Sequence, residues 1–147
     1  MKLGKDVFVA LAGVGWADGE VSPEEAESLV HAARECGVEG ADLDAVKVAT
    51  RERVELVSVK KLTLTPRERL FVYAIATWLA RVDGVVMPEE KDALVKLGDV
   101  LRLADGDRTK ASAASFSVAQ LSDGDRPSRY DLIGLAAKLE GPLSKRD

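Results

Sequence analysis

The sequence predicts an all-α fold, and three observations carry that prediction. Apolar residues recur with the 3.6-residue period of a helix along most of the chain. Aromatic residues make up only 5% of the 147 positions, so the core must be built mainly from Leu, Val and Ala, which suits packed helices. Proline and glycine stand where helices begin and end. We therefore predict one compact bundle of about seven helices.

The first two predicted helices are joined by a short Asp-Gly turn. The apolar residues of the first, over residues 5–17, share one face. Gly19 follows at a position that ends helices, because positive φ costs glycine little. The second begins at "SPEE", residues 22–25, in which Ser is the N-cap, Pro occupies the first helical position and Glu25 completes a capping box. Gly37 ends this helix.

The middle of the chain continues the same pattern. A third helix is predicted over residues 41–57, although its β-branched residues lower the helix propensity. The segment "TPRE", residues 65–68, is a second capping box and opens a helix over residues 66–82. Pro88 begins the next helix, whose apolar stripe consists of Leu94, Leu97 and Leu101.

The last third of the chain contains "DGDR" twice, at residues 105–108 and 123–126. An acidic ligand loop is one interpretation of this pattern, but we predict that both are connectors, with Asp-Gly forming the turn and the second Asp capping the next helix. The helices that follow them are predicted over residues 111–121 and 130–140. Residues 1–141 then form the domain, and residues 142–147 form a short flexible tail.

An internal repeat is the most informative feature of the sequence. The segment "GWADGEVSPEE", residues 15–25, returns 65 positions later as "ARVDGVVMPEE", residues 80–90. Each copy is a helix, an Asp-Gly turn and a second helix. Because one such hairpin cannot bury its own apolar stripe, we expect the two copies to pack face to face about a pseudo-twofold axis. The turns at Asp18 and Asp83 would then occupy related positions.

Charge is unevenly distributed along the chain. The formal net charge is −4, and no Lys or Arg lies between Asp6 and Ala33. Basic residues gather later, at Arg51, Arg53, Lys60, Lys61, Arg67 and Arg69. Separate acidic and basic regions suit a charged partner or a cation, and the alternative is that both are only solvated helix faces. The acidic surplus and the lack of interleaved aromatics argue against nucleic acid.

The paired turns suggest a cation site. Asp18 and Asp83 follow helix C-termini, where the helix dipole disfavours negative charge. Together with Glu25 and Glu90 they would supply four oxygen ligands of the kind that Ca²⁺, Mg²⁺ or Mn²⁺ prefers. The structural alternative is that each aspartate accepts hydrogen bonds from its own turn and that each glutamate caps its helix.

Features of an enzyme or of a membrane span are lacking in the sequence. It has no Gly-rich phosphate loop and no His-Glu-x-x-His motif, and His31 is its single histidine. The lone Cys36 is expected to be a packed, inert thiol in a reducing compartment. The apolar runs are too short to cross a bilayer. These observations predict a non-enzymatic, cytoplasmic protein.

The doubled Asp-Gly-x-Val-x-Pro-Glu-Glu pattern, followed by a Leu-rich helix, resembles the tellurite-resistance TerB-like family, which includes the N-terminal domain of DjlA-type co-chaperones. The closer copy is "LTPRERLFVYAIATWLARVDGVVMPEEKDALVKLGDVLRL". The resemblance implies an all-α duplicated fold, a link to chemical stress at the membrane, and metal binding by acidic residues. The acids at the matching positions are Asp18, Glu25, Asp83 and Glu90. One departure is Arg81, which stands where the first copy has Trp16 and supplies a cation near Asp83.

These observations lead to two functional expectations. In the first, the chain is a binding or adaptor module of a bacterial stress or signalling assembly and contacts another protein through an acidic face around the two turns. That face comprises Trp16, Glu20, Glu24 and Glu27. The basic cluster from Arg51 to Arg69 could in addition hold an anionic partner, an acidic protein surface or, as a peripheral membrane contact, a lipid headgroup. In the second, the chain binds a divalent cation in tellurite or chemical-stress resistance. A metal-dependent hydrolase is the least favoured alternative.

Overall fold

The computed structural model describes residues 4–16, 21, 23–52, 65–81 and 88–119. These ranges contain six α-helices and no strand, which confirms the all-α prediction for this part of the chain. The helices are α1 Lys5–Gly15, α2 Pro23–Glu35, α3 Gly40–Ala49, α4 Pro66–Arg81, α5 Pro88–Val100 and α6 Asp105–Ala119. The predicted helix over residues 130–140, the second "DGDR" segment and the tail lie outside the described residues.

The capping box predicted at the start of α4 is confirmed. The Thr65 backbone N–H donates to Glu68 Oε1 at 2.8 Å, and the Glu68 backbone N–H donates to Thr65 Oγ1 at 3.2 Å. Two backbone donors at the helix N-terminus are thus satisfied reciprocally. The helix then begins at Pro66, as the sequence predicts.

The predicted C-terminal boundary of α3 is wrong. The helix ends at Ala49 rather than running on to residue 57, and the described residues after it, 50–52, form a turn. Thr50 explains the change of direction, because its Oγ1 donates to the Lys47 carbonyl at 2.6 Å. Such a local bond offers the backbone an alternative to helix continuation.

The first "DGDR" segment is not a connector, so that prediction is wrong. Residues 105–108 form the first turn of α6, which begins at Asp105. Asp105 and Asp107 lie in this first turn, where the helix dipole favours negative charge. The Arg108 N–H donates to the Ala104 carbonyl at 3.0 Å, so the helical hydrogen bonds begin at once.

Gly37 ends α2, as the sequence predicts. Its φ of 93° lies in the left-handed region that favours glycine. The Val38 N–H donates to the Ala33 carbonyl at 2.9 Å, and the Gly37 N–H donates to the Arg34 carbonyl at 3.0 Å. This pair of bonds is a Schellman motif.

The end of α5 has the same motif without a glycine. Arg102 has a φ of 57°. The Leu103 N–H donates to the Gly98 carbonyl at 3.0 Å, and the Arg102 N–H donates to the Asp99 carbonyl at 3.1 Å. Each of these residues lies 65 positions after its counterpart in α2.

The core is built around α4. Every residue of α4 from Leu70 to Leu79 is buried, which is the pattern of a helix surrounded by other helices. It packs against α1, α2, α5 and α6, while α1 also packs against α2, α3 and α5. Trp78 is buried in this core. The helices α2 and α3 pack against each other, and the cleft between them is the candidate site.

The sequence predicts that the apolar runs are too short to cross a bilayer. No helix among the described residues is long and apolar enough to cross a membrane.

Candidate functional site

Most of the residues predicted to form the site lie outside the described residues or have side chains outside the described part of the structure. Asp18, Glu20 and Asp83 lie outside the described residues. Glu24 and Glu90 belong to α2 and α5, but their side chains are not among those described. The convergence of the two Asp-Gly turns therefore stays a prediction.

Glu25 is the predicted metal ligand whose side chain is described. It is the third residue of α2 and only 3% exposed, and Ser28 in the next turn is completely buried. A carboxylate in the first turn of a helix is favoured by the dipole, which offsets part of the cost of its burial. This placement fits the capping position that the sequence predicts for Glu25.

No group of three or more His, Cys, Asp or Glu side chains that could hold a metal ion exists within the described ranges. Three of the four predicted ligands are not part of that comparison. Cation binding by the two turns therefore stays a prediction.

Trp16 is half-buried and packs against the core. Its indole Nε1 donates to the Ala49 carbonyl at 2.8 Å, which joins the end of α1 to the end of α3. No signal in the sequence pairs these two residues. The partner-binding role of Trp16 stays a prediction, and the structure adds a structural role.

Glu27 is exposed and lies in an open cleft between α2 and α3. The cleft has a volume of about 500 Å³, within the range of small binding sites. It is lined by both helices and the turn after α3, at Ala26, Glu27, Val30, His31, Arg34, Lys47, Thr50 and Arg51.

The cleft combines apolar and charged lining residues. Ala26 and Val30 are half-buried, and Val30 packs against the hydrophobic core. Arg34 and Arg51 are exposed, whereas Lys47 is half-buried. The cleft can therefore hold a ligand with both an apolar and an ionic part.

Three of the residues that line the cleft are cationic, namely Arg34, Lys47 and Arg51. Arg34 and Lys47 lie in the last turns of α2 and α3, where the helix dipoles favour positive charge. None of Arg34, Lys47 and Arg51 forms an ion pair with a residue in the described part of the chain. The nearby His31 lies 3.9 Å from Glu35 on its own helix. The three cations are thus available to an anionic ligand.

The sequence singled out Glu27 and Arg51 but not Arg34, Lys47 or Thr50. The usable signal was the helical spacing, which puts residues 27, 31 and 34 on one side of α2 and residues 47, 50 and 51 on one side of α3. Nothing in the sequence showed that these two sides face the same cleft.

Comparison with known proteins gives no further guidance. No protein-family model, no curated protein and no solved structure matches this chain.

Proposed function

We propose that the protein is a non-enzymatic binding module that recognises another protein, with α2 as its recognition helix. The observation that carries this proposal is the cleft beside α2, where Glu27 and three cations lie without an ion pair to any residue in the described ranges. Charged groups arranged around a partly apolar surface give specificity and fast association in protein recognition. The Thr50 hydroxyl in the lining donates to the Lys47 carbonyl rather than to a base, so we propose no catalytic role.

We also propose that the fold is a duplicated hairpin of the TerB-like kind. The bounds of α2 and α5 differ by 65 positions at both ends, and α3 and α6 begin 65 positions apart. The matching Schellman motifs at Gly37 and Arg102 add support. So does the packing, because α1 contacts α5 and α2 contacts α4, as two hairpins crossing about a twofold axis would.

The partner surface in this proposal also includes the acidic face that the sequence predicts. That face comprises Trp16, Glu20, Glu24 and Glu27, and its charge suits a basic patch on the partner. The resemblance to the TerB-like family suggests a bacterial stress or signalling assembly as the setting.

The duplication supplies a matched control for testing this face. Glu24 and Glu27 correspond, 65 positions later, to Glu89 and Asp92, both of which are exposed on α5. We propose affinity capture with the wild-type chain, with Glu24→Lys/Glu27→Lys and with Glu89→Lys/Asp92→Lys. Quantitative mass spectrometry should find partners that the first variant loses and the second keeps. Partners unchanged in the first variant would refute the role of the acidic face.

A second candidate function is divalent-cation binding by Asp18, Glu25, Asp83 and Glu90. The burial of Glu25 favours it, because a carboxylate held in the interior is a suitable ligand for a cation. Calorimetry with Ca²⁺, Mg²⁺ and Mn²⁺ tests it, with Asp18→Asn/Asp83→Asn as the comparison. Absence of binding heat, together with no metal-dependent rise in Tm, would exclude this candidate.

A further inference from the structure

We infer that the cleft between α2 and α3 binds an acidic peptide segment of the partner protein. The inference rests on the proposed function as a protein-binding module and adds the chemistry of what enters the cleft. It assigns Arg34, Lys47 and Arg51 to the carboxylates of that segment.

Charge complementarity is the first argument. Three cations line the cleft against one carboxylate, Glu27, although the chain as a whole carries a charge of −4. A cationic site on an acidic protein attracts an anionic segment locally, while the rest of the surface repels non-specific polyanions. Two of the cations are arginines, whose guanidinium groups bind carboxylates with two parallel hydrogen bonds.

The apolar floor is the second argument, and it favours a peptide over a free anion. Ala26 and Val30 are half-buried between the charged residues. A small inorganic anion would leave this floor exposed to water, whereas an apolar side chain next to the carboxylates would cover it. None of the described residues that line this cleft is Phe, Tyr or Trp, the side chains on which bases most often stack.

The dimensions agree with a short segment. The lining residues on α2 extend from Ala26 to Arg34, which is about 12 Å along the helix axis. An extended chain covers that distance in about three residues. The cleft can therefore hold two carboxylates and an apolar side chain between them.

Glu27 provides a second test, because its replacement should change the affinity for an acidic peptide in the opposite direction to replacement of the cations. It lies two helical turns before Arg34 on the same side of α2 and would repel a purely acidic peptide. Glu27→Gln should therefore raise the affinity for such a peptide, while removal of any of the three cations should lower it. A site that depended only on the shape of the cleft would not respond with both signs.

The experiment uses a fluorescein-labelled hexapeptide of alternating glutamate and leucine, followed by fluorescence anisotropy with the full chain. The test variant is Arg34→Gln/Lys47→Gln/Arg51→Gln, and the control is Lys91→Gln/Lys96→Gln/Lys110→Gln, which removes the same charge from α5 and α6. We expect wild type and control to bind alike and the test variant to bind at least about tenfold more weakly. Circular dichroism of all three proteins verifies that they are folded.

Four results would overturn the inference. They are no binding by the wild-type chain, an equal loss in the control variant, equal binding of a lysine–leucine peptide, and displacement of the acidic peptide by an equal concentration of inorganic phosphate. The last result would identify a free anion as the ligand. The capture experiment with Glu24→Lys/Glu27→Lys tests the proposed function separately. If that variant loses a partner that the wild-type chain captures, but the wild-type chain does not bind the acidic peptide, only this inference is refuted.

Discussion

The indole Nε1 of Trp16 donates a 2.8 Å hydrogen bond to the backbone carbonyl of Ala49. Ala49 is the last residue of α3, and the carbonyls in the last turn of a helix have no N–H donor within that helix. The bond therefore caps α3 from another element and fixes the point at which the chain turns toward Thr50 and Arg51. One wall of the cleft is positioned in this way.

Replacing Trp16 with Phe should lower the free energy of unfolding by about 1 kcal/mol. The ring would keep much of its packing, but the Ala49 carbonyl would lose its donor. Urea denaturation followed by far-ultraviolet circular dichroism measures the change. The control is Val48→Thr at a site that is 44% exposed, which should change the same quantity by less than about 0.5 kcal/mol. An unchanged midpoint for Trp16→Phe would show that the bond does not stabilise the fold.

The two Schellman motifs predict substitutions of opposite sign. Gly37→Ala should lower the free energy of unfolding by about 1 kcal/mol, because a side chain is strained at a φ of 93°. Arg102→Gly should raise it by up to about 1 kcal/mol, because it removes the side chain from a φ of 57°. Urea denaturation of both variants checks the pair. A decrease for both would mean that the contacts of Arg102 outweigh its backbone strain.

The part of the fold that sequence reasoning predicted well is the part set by local interactions. The start of α4 at Pro66 and the end of α2 at Gly37 depend on residues within one turn of the boundary. The end of α3 was mispredicted, because it depends on a bond from Trp16, 33 residues away, as well as on Thr50. The start of α6 was mispredicted because Asp-Gly favours a turn locally, and the helix dipole outweighed that preference.

In the cleft, too, the local features could be predicted from the sequence and the contacts between helices could not. The charges of Glu27 and Arg51 are visible in the sequence, and so is the helical period that places each on a face. That the two faces meet in one cleft follows from the packing of α2 on α3, which places residues 27 and 51 in the lining of the same cleft. Such a contact between separate helices leaves no trace in either segment alone.

Gly98 makes room for an ion pair at the end of α5. A Cβ atom built on Gly98 would lie 2.7 Å from Nε of Arg108. That guanidinium donates to the Leu103 carbonyl at 3.0 Å and to Asp99 Oδ1 at 2.9 Å. Alanine at position 98 would therefore gain helix propensity but displace Arg108 from both acceptors.

A double-mutant cycle separates these two effects. Gly98→Ala should change the free energy of unfolding little in the wild-type chain, because the gain and the loss nearly cancel. In the Arg108→Ala background the same substitution should raise it by up to about 1 kcal/mol. Thermal or urea denaturation of the four proteins measures the coupling. If Gly98→Ala changed the free energy of unfolding equally in both backgrounds, the displacement of Arg108 from its two acceptors would have no energetic cost.

The buried thiol of Cys36 predicts how stability depends on pH. The side chain is 2% exposed, and burial raises its pKa to about 11. In the unfolded chain a thiol loses its proton near pH 8.5, so between about pH 8.5 and 11 the native state binds more protons than the unfolded state. The free energy of unfolding should therefore fall as the pH rises through this window, and the contribution of Cys36 should be fully present below it.

Cys36→Ala isolates this contribution from other groups that titrate at high pH. Burial also raises the pKa of Tyr73, but that residue is present in both proteins. The variant should be less stable than wild type at pH 7, because it loses buried atoms. The difference in free energy of unfolding between wild type and variant should shrink by about 1 kcal/mol from pH 7 to pH 9.5. Only the wild type has a thiol that stays protonated when folded and loses its proton when unfolded at the higher pH. Urea denaturation at both pH values measures this difference. If the difference stayed constant, the Cys36 thiol would titrate alike in the folded and unfolded chains.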